Sequence, residues 1–431
     1  MESLKISNFL LIKDVDIPIK KYNLVIGPQA IGKSVVAKVL YFFYQIPTLI
    51  ENNVYNSGTY KDIQENLKDN FKALFPATYW SYKLFEITYK LDDLIIKIYN
   101  KEDHRNSIFI DFSKSYNNEL EKIIGISALF SLELQSRVRD LKNDSQNDLK
   151  FHIDSNLLKR KIFSEAIEKS IFKSFFEKKH PEFVPASRAL YSILSDKPVT
   201  FSSGIEIDSL FNKFAISYER YKDLYQYCAV DNPKNSREQI INQVHKFSEK
   251  ILKGKYLYKD KKDWLSINNQ RISVKNISSG QQEILPLLVM LTFGVFLASN
   301  SGKLGSYFIE EPEAHLFPEA QSEIMSLLSF IGYHFSSQFF ITTHSPYLLS
   351  VFNNFIYGNE LIKQGKTTLE EFNKISNNAC PIDYDDIYAF SIIDGKSVSI
   401  MDKEYKFIDS KILDSASNAA EDVFNQLMAL E

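Results

Sequence analysis

The chain has 431 residues, 44 % of them hydrophobic, enough for a large core and for two or three lobes. Its 51 Lys and Arg against 54 Asp and Glu give a formal net charge of −3, which excludes a polycation and confines any nucleic-acid contact to a local patch. Cys228 and Cys380 stand far apart without metal-ligand spacing, as suits a reducing compartment, and the seven histidines include no i, i+4 pair.

The N-terminal run MESLKISNFLLIKDVDIPIKK alternates as strands do and lacks the charged-then-apolar order of a signal peptide, so a cytosolic protein is expected. Residues 1–26 read as strands, ending in the apolar Asn23-Leu24-Val25-Ile26. There follow Gly27, Pro28, Gln29, Ala30, Ile31, Gly32, Lys33 and Ser34, a full match to G-x-x-x-x-G-K-[ST]. Behind it Val35, Val39, Leu40 and Phe43 recur at three- and four-residue spacing, predicting a helix to about Gln45. Strand, glycine-rich turn and helix together form a phosphate loop. Its amides and the helix N-terminus face a polyphosphate, Lys33 reaches the β- and γ-phosphates, and the Ser34 hydroxyl ligates Mg²⁺. Chance would place such a pattern in a chain this long roughly one or two times in a hundred.

Further along, 50–75 reads as polar helix and 79–113 as antiparallel strands. Residues 115–180 read as charged helix, Phe183-Val184 as a short strand leading into Pro185-Ala186-Ser187-Arg188, and 205–254 as a second helical insertion. Short strands are predicted at Lys255–Tyr258, Trp264–Ile267 and Arg271–Val274. The apolar run from Ile284 to Ala298 is too short for a membrane span and is interrupted by Pro286, Thr292 and Gly294, so it reads as a buried helix. The tail, 380–431, reads as two or three strands and a closing helix. Four segments result: 1–113, an N-terminal lobe with the phosphate loop and antiparallel strands; 114–255, helical insertions around the strand at 183–188; 256–350, a second lobe; and 351–431, strands and a helix completing the fold.

Three more motifs carry chemistry. In Tyr307-Phe308-Ile309-Glu310-Glu311-Pro312-Glu313-Ala314-His315-Leu316 two carboxylates end an apolar strand, which assigns Glu310 to the metal and Glu311 to the attacking water. Asn276-Ile277-Ser278-Ser279-Gly280-Gln281-Gln282-Glu283 precedes the buried helix. Ser278 with Gln281, or Ser279 with Gln282, makes a capping box, and the same helix end can offer donors to a phosphate. In Phe339-Phe340-Ile341-Thr342-Thr343-His344-Ser345-Pro346 a strand ending at His344 follows the acidic strand by one strand–helix unit. That brings His344 to the carboxyl edge of the same parallel sheet, within reach of a γ-phosphate. Basic residues at Lys159-Arg160-Lys161, Lys178-Lys179 and 253–262 lie near Tyr256, Tyr258 and Trp264. They read either as solvated faces or as a nucleic-acid surface.

Taken in order, these motifs resemble the ABC-type ATPase heads of the SMC/RecF group, most of all the overcoming-lysogenisation-defect (OLD)-like branch, whose members read I-E-E-P-E-A-H-L-H-P, T-T-H-S-P and S-S-G-Q-Q-E. The resemblance implies an α/β phosphate-loop head, a mixed and largely parallel sheet with an antiparallel strand subdomain and inserted helical lobes. It implies ATP and Mg²⁺ as cofactors, with Lys33, Glu311 and His344 catalytic. It further implies that Ser278, Ser279, Gly280 and Gln281 close on the nucleotide of a second copy, in a homodimer or a higher homo-oligomer. Pro185-Ala186-Ser187-Arg188 looks like this branch's strand-to-lobe segment, with Arg188 a phosphate or lobe-coupling residue or else a surface arginine. The chain departs from the family at Asn8-Phe9-Leu10, where an arginine usually follows the phenylalanine, leaving Lys13 or Lys21 as substitutes near the base. It departs again at Leu316-Phe317-Pro318, where a second histidine is common, and at Glu310, where ABC heads usually carry aspartate.

Many relatives carry a C-terminal Toprim nuclease, which needs a strand-ending Glu and a later Asp-x-Asp. Here Asp383-Tyr384-Asp385-Asp386 precedes a strand, so no nuclease is expected in this chain. The resemblance then implies an ATPase of the PARIS or Septu kind, responding to a phage protein trigger and controlling a separately encoded nuclease or toxin effector. The alternatives are a RecF-like repair ATPase that binds DNA, a nucleotide-gated scaffold with little turnover, and a transporter subunit.

Overall fold

The structure is a computed structural model that describes residues 1–56, 58–125, 160–178, 180–194, 208–228, 233–299 and 302–409. The helical pattern expected over 126–159, Lys159, Lys179 and the closing helix expected after 409 lie outside the described residues. In chain order the strands are β1 (Glu2–Phe9), β2 (Ile12–Pro18), β3 (Tyr22–Ile26), β4 (Glu86–Leu91), β5 (Leu94–Lys101), β6 (His104–Phe112), β7 (Glu182–Val184), β8 (Lys255–Lys259), β9 (Lys262–Ile267), β10 (Gln270–Ser273), β11 (Lys303–Glu310), β12 (Ser336–Thr343), β13 (Ile387–Ile393) and β14 (Lys396–Ser399). The chain divides into two compact units, Met1–Pro18 with Lys38–Pro181, and Ile19–Ala37 with Glu182–Glu431.

In the first unit alternation decides everything. Five strands run antiparallel in the order β6-β5-β4-β1-β2. Register aligns Ile6, Ile87, Ile98 and Ile110 across β1, β4, β5 and β6, and all four are buried. One residue on, Lys5, Lys97 and Asp111 are exposed in the neighbouring row. The helix Tyr60–Leu74 lays Ile63, Leu67 and Phe71, four residues apart, into this core, where the Phe71 ring meets Phe9 and Phe42. Thr59 and Asp62 start it with a capping box.

The second unit is built on parallel strands in the order β13-β3-β12-β11-β7, with β14 antiparallel at the β13 edge. Every residue of β3 is buried, as parallel sheets covered on both faces require. The apolar run forms the helix Ser279–Ala298, which is long and apolar enough to cross a membrane but lies mostly buried in the core. It meets β11 at a notch, where a Cβ on Gly294 would stand 2.1 Å from the Tyr307 hydroxyl oxygen. Helices Pro318–His334 and Pro346–Lys363 each begin with proline in the first turn, where its missing N–H costs nothing. The three predicted strands over 255–274 form a separate sheet, β10-β9-β8.

Two boundaries differ from expectation. The phosphate-loop helix does not stop near Gln45 but runs Lys33–Tyr55 through Pro47. Ile46, Ile50 and Val54 continue its buried stripe, and that burial outweighs the roughly 3 kcal/mol a mid-helix proline costs. The strand before His344 ends one residue earlier, at Thr343.

Candidate nucleotide site

Parallel pairing puts four chain segments side by side at one sheet edge. Ile26 is in register with Thr343, Glu310 with Thr342, and Ile309 with Val184. Gly27, Glu311, His344 and Pro185 each follow directly where these strands end, the position at which open α/β sheets bind ligands. The Glu311 amide still donates to the Thr342 carbonyl at 2.9 Å, which fixes where the acidic strand lets go.

The phosphate loop turns through left-handed backbone at Gly27 (φ 143°), Ala30 (φ 61°) and Gly32 (φ 102°). Gly27 has no room for a side chain, since a Cβ would meet Ile31 at 2.7 Å and the Ser391 hydroxyl at 3.0 Å. Pro28, Gln29, Ala30 and Ser34 are exposed, and Ile31 and Val35 are half-buried. Lys33 is buried, and its ammonium donates to the carbonyls of Gly27 at 2.7 Å and Pro28 at 2.8 Å. It also lies 3.2 and 3.1 Å from the two ring nitrogens of His344. Burial pushes the Lys33 ammonium down to about 8, against the pull of Glu311, Glu313 and Glu310.

His344 joins this lysine to the acidic loop, its Nε2 lying 3.0 Å from Glu311 Oε1. Both contacts are satisfied by the tautomer in which Nε2–H donates to Glu311 and Nδ1 accepts from Lys33. Glu311 itself has φ 44°, an unusual conformation for a glutamate, and its carboxylate is about one-third exposed. Glu310 is buried; one oxygen accepts from the Ala186 amide at 3.3 Å and the other, Oε1, has no partner.

That orphaned oxygen suits a cation, and Ser34 offers an exposed hydroxyl. Among the described residues no group of three or more His, Cys, Asp or Glu could hold a metal alone. Glu310 Oε1 and the Ser34 hydroxyl are oxygen donors of the kind a Mg²⁺ carried in by phosphates takes.

Arg188 is not a surface arginine. It is fully buried, and its guanidinium donates to the carbonyls of Glu283 (3.1 Å), Pro185 (3.1 Å), Glu310 (2.6 Å) and Glu311 (3.0 Å). The Glu283 carboxylate in turn accepts from the Arg188 and Ala189 amides, both at 2.8 Å. One buried cation thus clasps the main chain of both acidic residues and ties it to the helix that begins at Ser279. Glu283 was visible only as the last letter of a helix start, and its partners lie 94 and 95 residues away.

Ser278 caps that helix. Its hydroxyl accepts from the Gln281 amide at 3.4 Å and donates to the Gln281 side chain at 3.0 Å, which selects the first of the two capping boxes. Gln281 also donates to the Leu252 carbonyl, and Gln282 to those of Val274 and Lys275. Ser278 and Ser279 are exposed, while Gly280 packs so close that a Cβ would stand 2.5 Å from the His315 carbonyl oxygen. Lys33, Glu311 and His344 therefore form one bonded cluster, whereas Ser278–Gln281 touch the acidic loop only through Gly280 at His315.

The remaining candidates fall elsewhere. Asp383 caps the turn Tyr384–Asp386 and pairs with Lys363 at 2.6 Å, which holds its carboxyl below the usual range. Tyr256 is core rather than interface, with its hydroxyl on Asp263.

Residues 205–349 match the model of the AAA ATPase domain. No curated protein matches the chain. Among solved structures it is similar to an Smc head bound to the C-winged helix domain of ScpA, at 12% identity over 94% of this chain and 98% of that one, with a TM-score of 0.43. It is also similar to the SMC head domain from Thermotoga maritima, at 10% identity over 92% and 97%, with a TM-score of 0.36. A third similar structure is the recombination mediator protein RecF of the RecFOR pathway, at 12% identity over 92% and 97%, with a TM-score of 0.34.

Proposed function

We propose that the chain binds and hydrolyses ATP at the Lys33–His344–Glu311 cluster. The observation that carries this reading is the convergence of the phosphate-loop lysine, a histidine and a carboxylate at one parallel sheet edge, with the His344 ring 3.1 and 3.2 Å from the Lys33 ammonium and 3.0 Å from the Glu311 carboxylate. On ATP entry Lys33 exchanges the carbonyls of Gly27 and Pro28 for phosphate oxygens, with the loop from Gly27 to Ser34 and Val35 wrapping the polyphosphate. Glu311 orients the attacking water, and His344 offers its single N–H to that carboxylate or, once Lys33 has moved to the phosphates, to the γ-phosphate. Ser34 and Glu310 would hold a Mg²⁺ that arrives with the nucleotide, and the ion would neutralise charge on the phosphates.

Beyond the single chain, the order of motifs supports a homodimer in which Ser278–Gln281 of one copy close on the ATP of the other. It supports a role as the regulator of a separately encoded nuclease or toxin in anti-phage defence, with RecF-like repair on DNA as the alternative. The genes beside this one choose between these two.

The test is a pair of variants. Lys33→Ala should lose ATP binding, because the phosphate charge loses its main partner. Glu311→Gln should keep ATP, stall turnover and run as a dimer in ATP on gel filtration, because only transition-state help is removed. Wild-type turnover in Glu311→Gln would overturn the assignment of the water-positioning residue.

A further inference from the structure

We propose that Glu313 is a positioning residue for this hydrolysis, setting the place of His344 by holding the main chain on which it stands; the proposal rests on the ATPase reading above. Glu313 lies two residues after Glu311, in the turn closed by the Ala314 amide on the Glu311 carbonyl and the Leu316 amide on the Glu313 carbonyl. Its side chain leaves that turn for another segment. Oε1 accepts from the His344 amide at 2.7 Å and from the Thr343 hydroxyl at 2.7 Å. The Thr343 oxygen accepts in turn from the Ser345 amide at 3.0 Å. The amides of His344 and of the residue after it are therefore both taken up, directly or through one hydroxyl, by a single carboxylate oxygen.

A bond from a carboxylate to an amide is charge-assisted and about twice as strong as a neutral one, so this one oxygen is a firm anchor. What it joins matters more. The carboxylate of Glu311 and the imidazole of His344 meet at 3.0 Å, and Glu313 bolts together the two segments that carry them. An ordinary cap would serve its own helix, whereas these donors stand 30 and 31 residues away and across the sheet edge. Glu313 is buried, and its second oxygen has no partner. Holding an under-satisfied carboxylate here costs stability, which fits a residue whose use is where it places its neighbours.

The experiment reads kcat, KM and the His344 ring. Glu313→Ala should lower kcat by about 10–100-fold, the cost of a misplacement of about 1 Å, with KM for ATP held within about twofold. Glu313→Gln keeps one oxygen able to accept both donors and should recover most of that loss. In a His344→Ala background, Glu313→Ala should cost nothing more. Additive losses, or wild-type kcat in Glu313→Ala, overturn the proposal. If Glu313→Ala fails to fold, Thr343→Val removes one branch of the same anchor and should give a smaller loss, again absent in His344→Ala. With ¹³C-labelled histidine, the chemical shift of the His344 ring signal by NMR should move in Glu313→Ala and return in Glu313→Gln, whether or not the chain turns over ATP. An unmoved ring signal overturns this proposal and leaves the ATPase reading intact; a wild-type chain without turnover overturns that reading while the ring signal still decides this one.

Discussion

The antiparallel sheet of the first unit and the parallel sheet of the second are of similar size and have opposite uses. In β5 buried and less buried positions alternate along the strand, and Lys97 and Lys101 face water. In β3 no residue does. Antiparallel strands send their ends alternately to both edges, so no edge collects them. Parallel strands end together, and β3, β7, β11 and β12 deliver the phosphate loop, Arg188, Glu311 and His344 to one place. A sheet that buries both faces gives up surface for this, and its chemistry is concentrated at one edge.

Three measurements probe that contrast. Arg188→Met strikes the crowded edge. It leaves Glu283 buried without its cation and strips donors from the carbonyls of Pro185, Glu310 and Glu311, so stability should fall by about 3–5 kcal/mol in chemical denaturation. A variant as stable as wild type would mean that the clasp does not hold this edge together. A smaller effect is expected from pH at Lys33. Burial lowers its ordinary value from 10.5 to about 8, and bound phosphates restore the charged form. Binding therefore takes up a proton above pH 8, and ATP affinity should be flat below it and fall by up to about tenfold per unit above it. Isothermal titration between pH 7 and 10 in two buffers of different ionisation heat reads both the affinity and the proton; a flat affinity would place Lys33 in the ordinary lysine range. Least of all should follow from Lys97→Ala on the open face of the first unit. Its partner Glu86 is 3.2 Å away and half exposed, so the loss should stay below about 1 kcal/mol. ATP affinity should not change, and a larger loss would show that this face is not merely wet.

Much of the site was legible because its reactive groups come in short runs. A phosphate loop, an acidic strand end and a strand-ending histidine each sit in fewer than ten consecutive residues, and a parallel sheet is enough to bring them together. The supports are another matter. Arg188 finds Glu283, Glu310 and Glu311 only through pairings 95 to 123 residues apart. Neither its burial nor the bonds of Glu313 leave a local pattern. Helix ends were readable where caps decide them, as at Ser278, and misread where packing does, as at Pro47. The strands of the first unit were plain because alternation writes one buried face directly into the order of residues.

The notch at Gly294 has a mechanical consequence. The Tyr307 hydroxyl occupies the space a side chain would fill, so the helix Ser279–Ala298 is pinned along its axis to β11. An axial slide would drive the tyrosine towards the side chains that share this helix face three and four residues away, Met290 and Leu291 on one side and Leu297 and Ala298 on the other. Tyr307 lies three residues before Glu310, so the pin works as a gauge between the serines at the helix start and the acidic pair at the strand end. Their separation cannot be changed by sliding. The helix that starts after Ser278 is thus joined to β11 at two places, the notch at Gly294 and the bonds of Arg188 to Glu283 and to the Glu310 carbonyl.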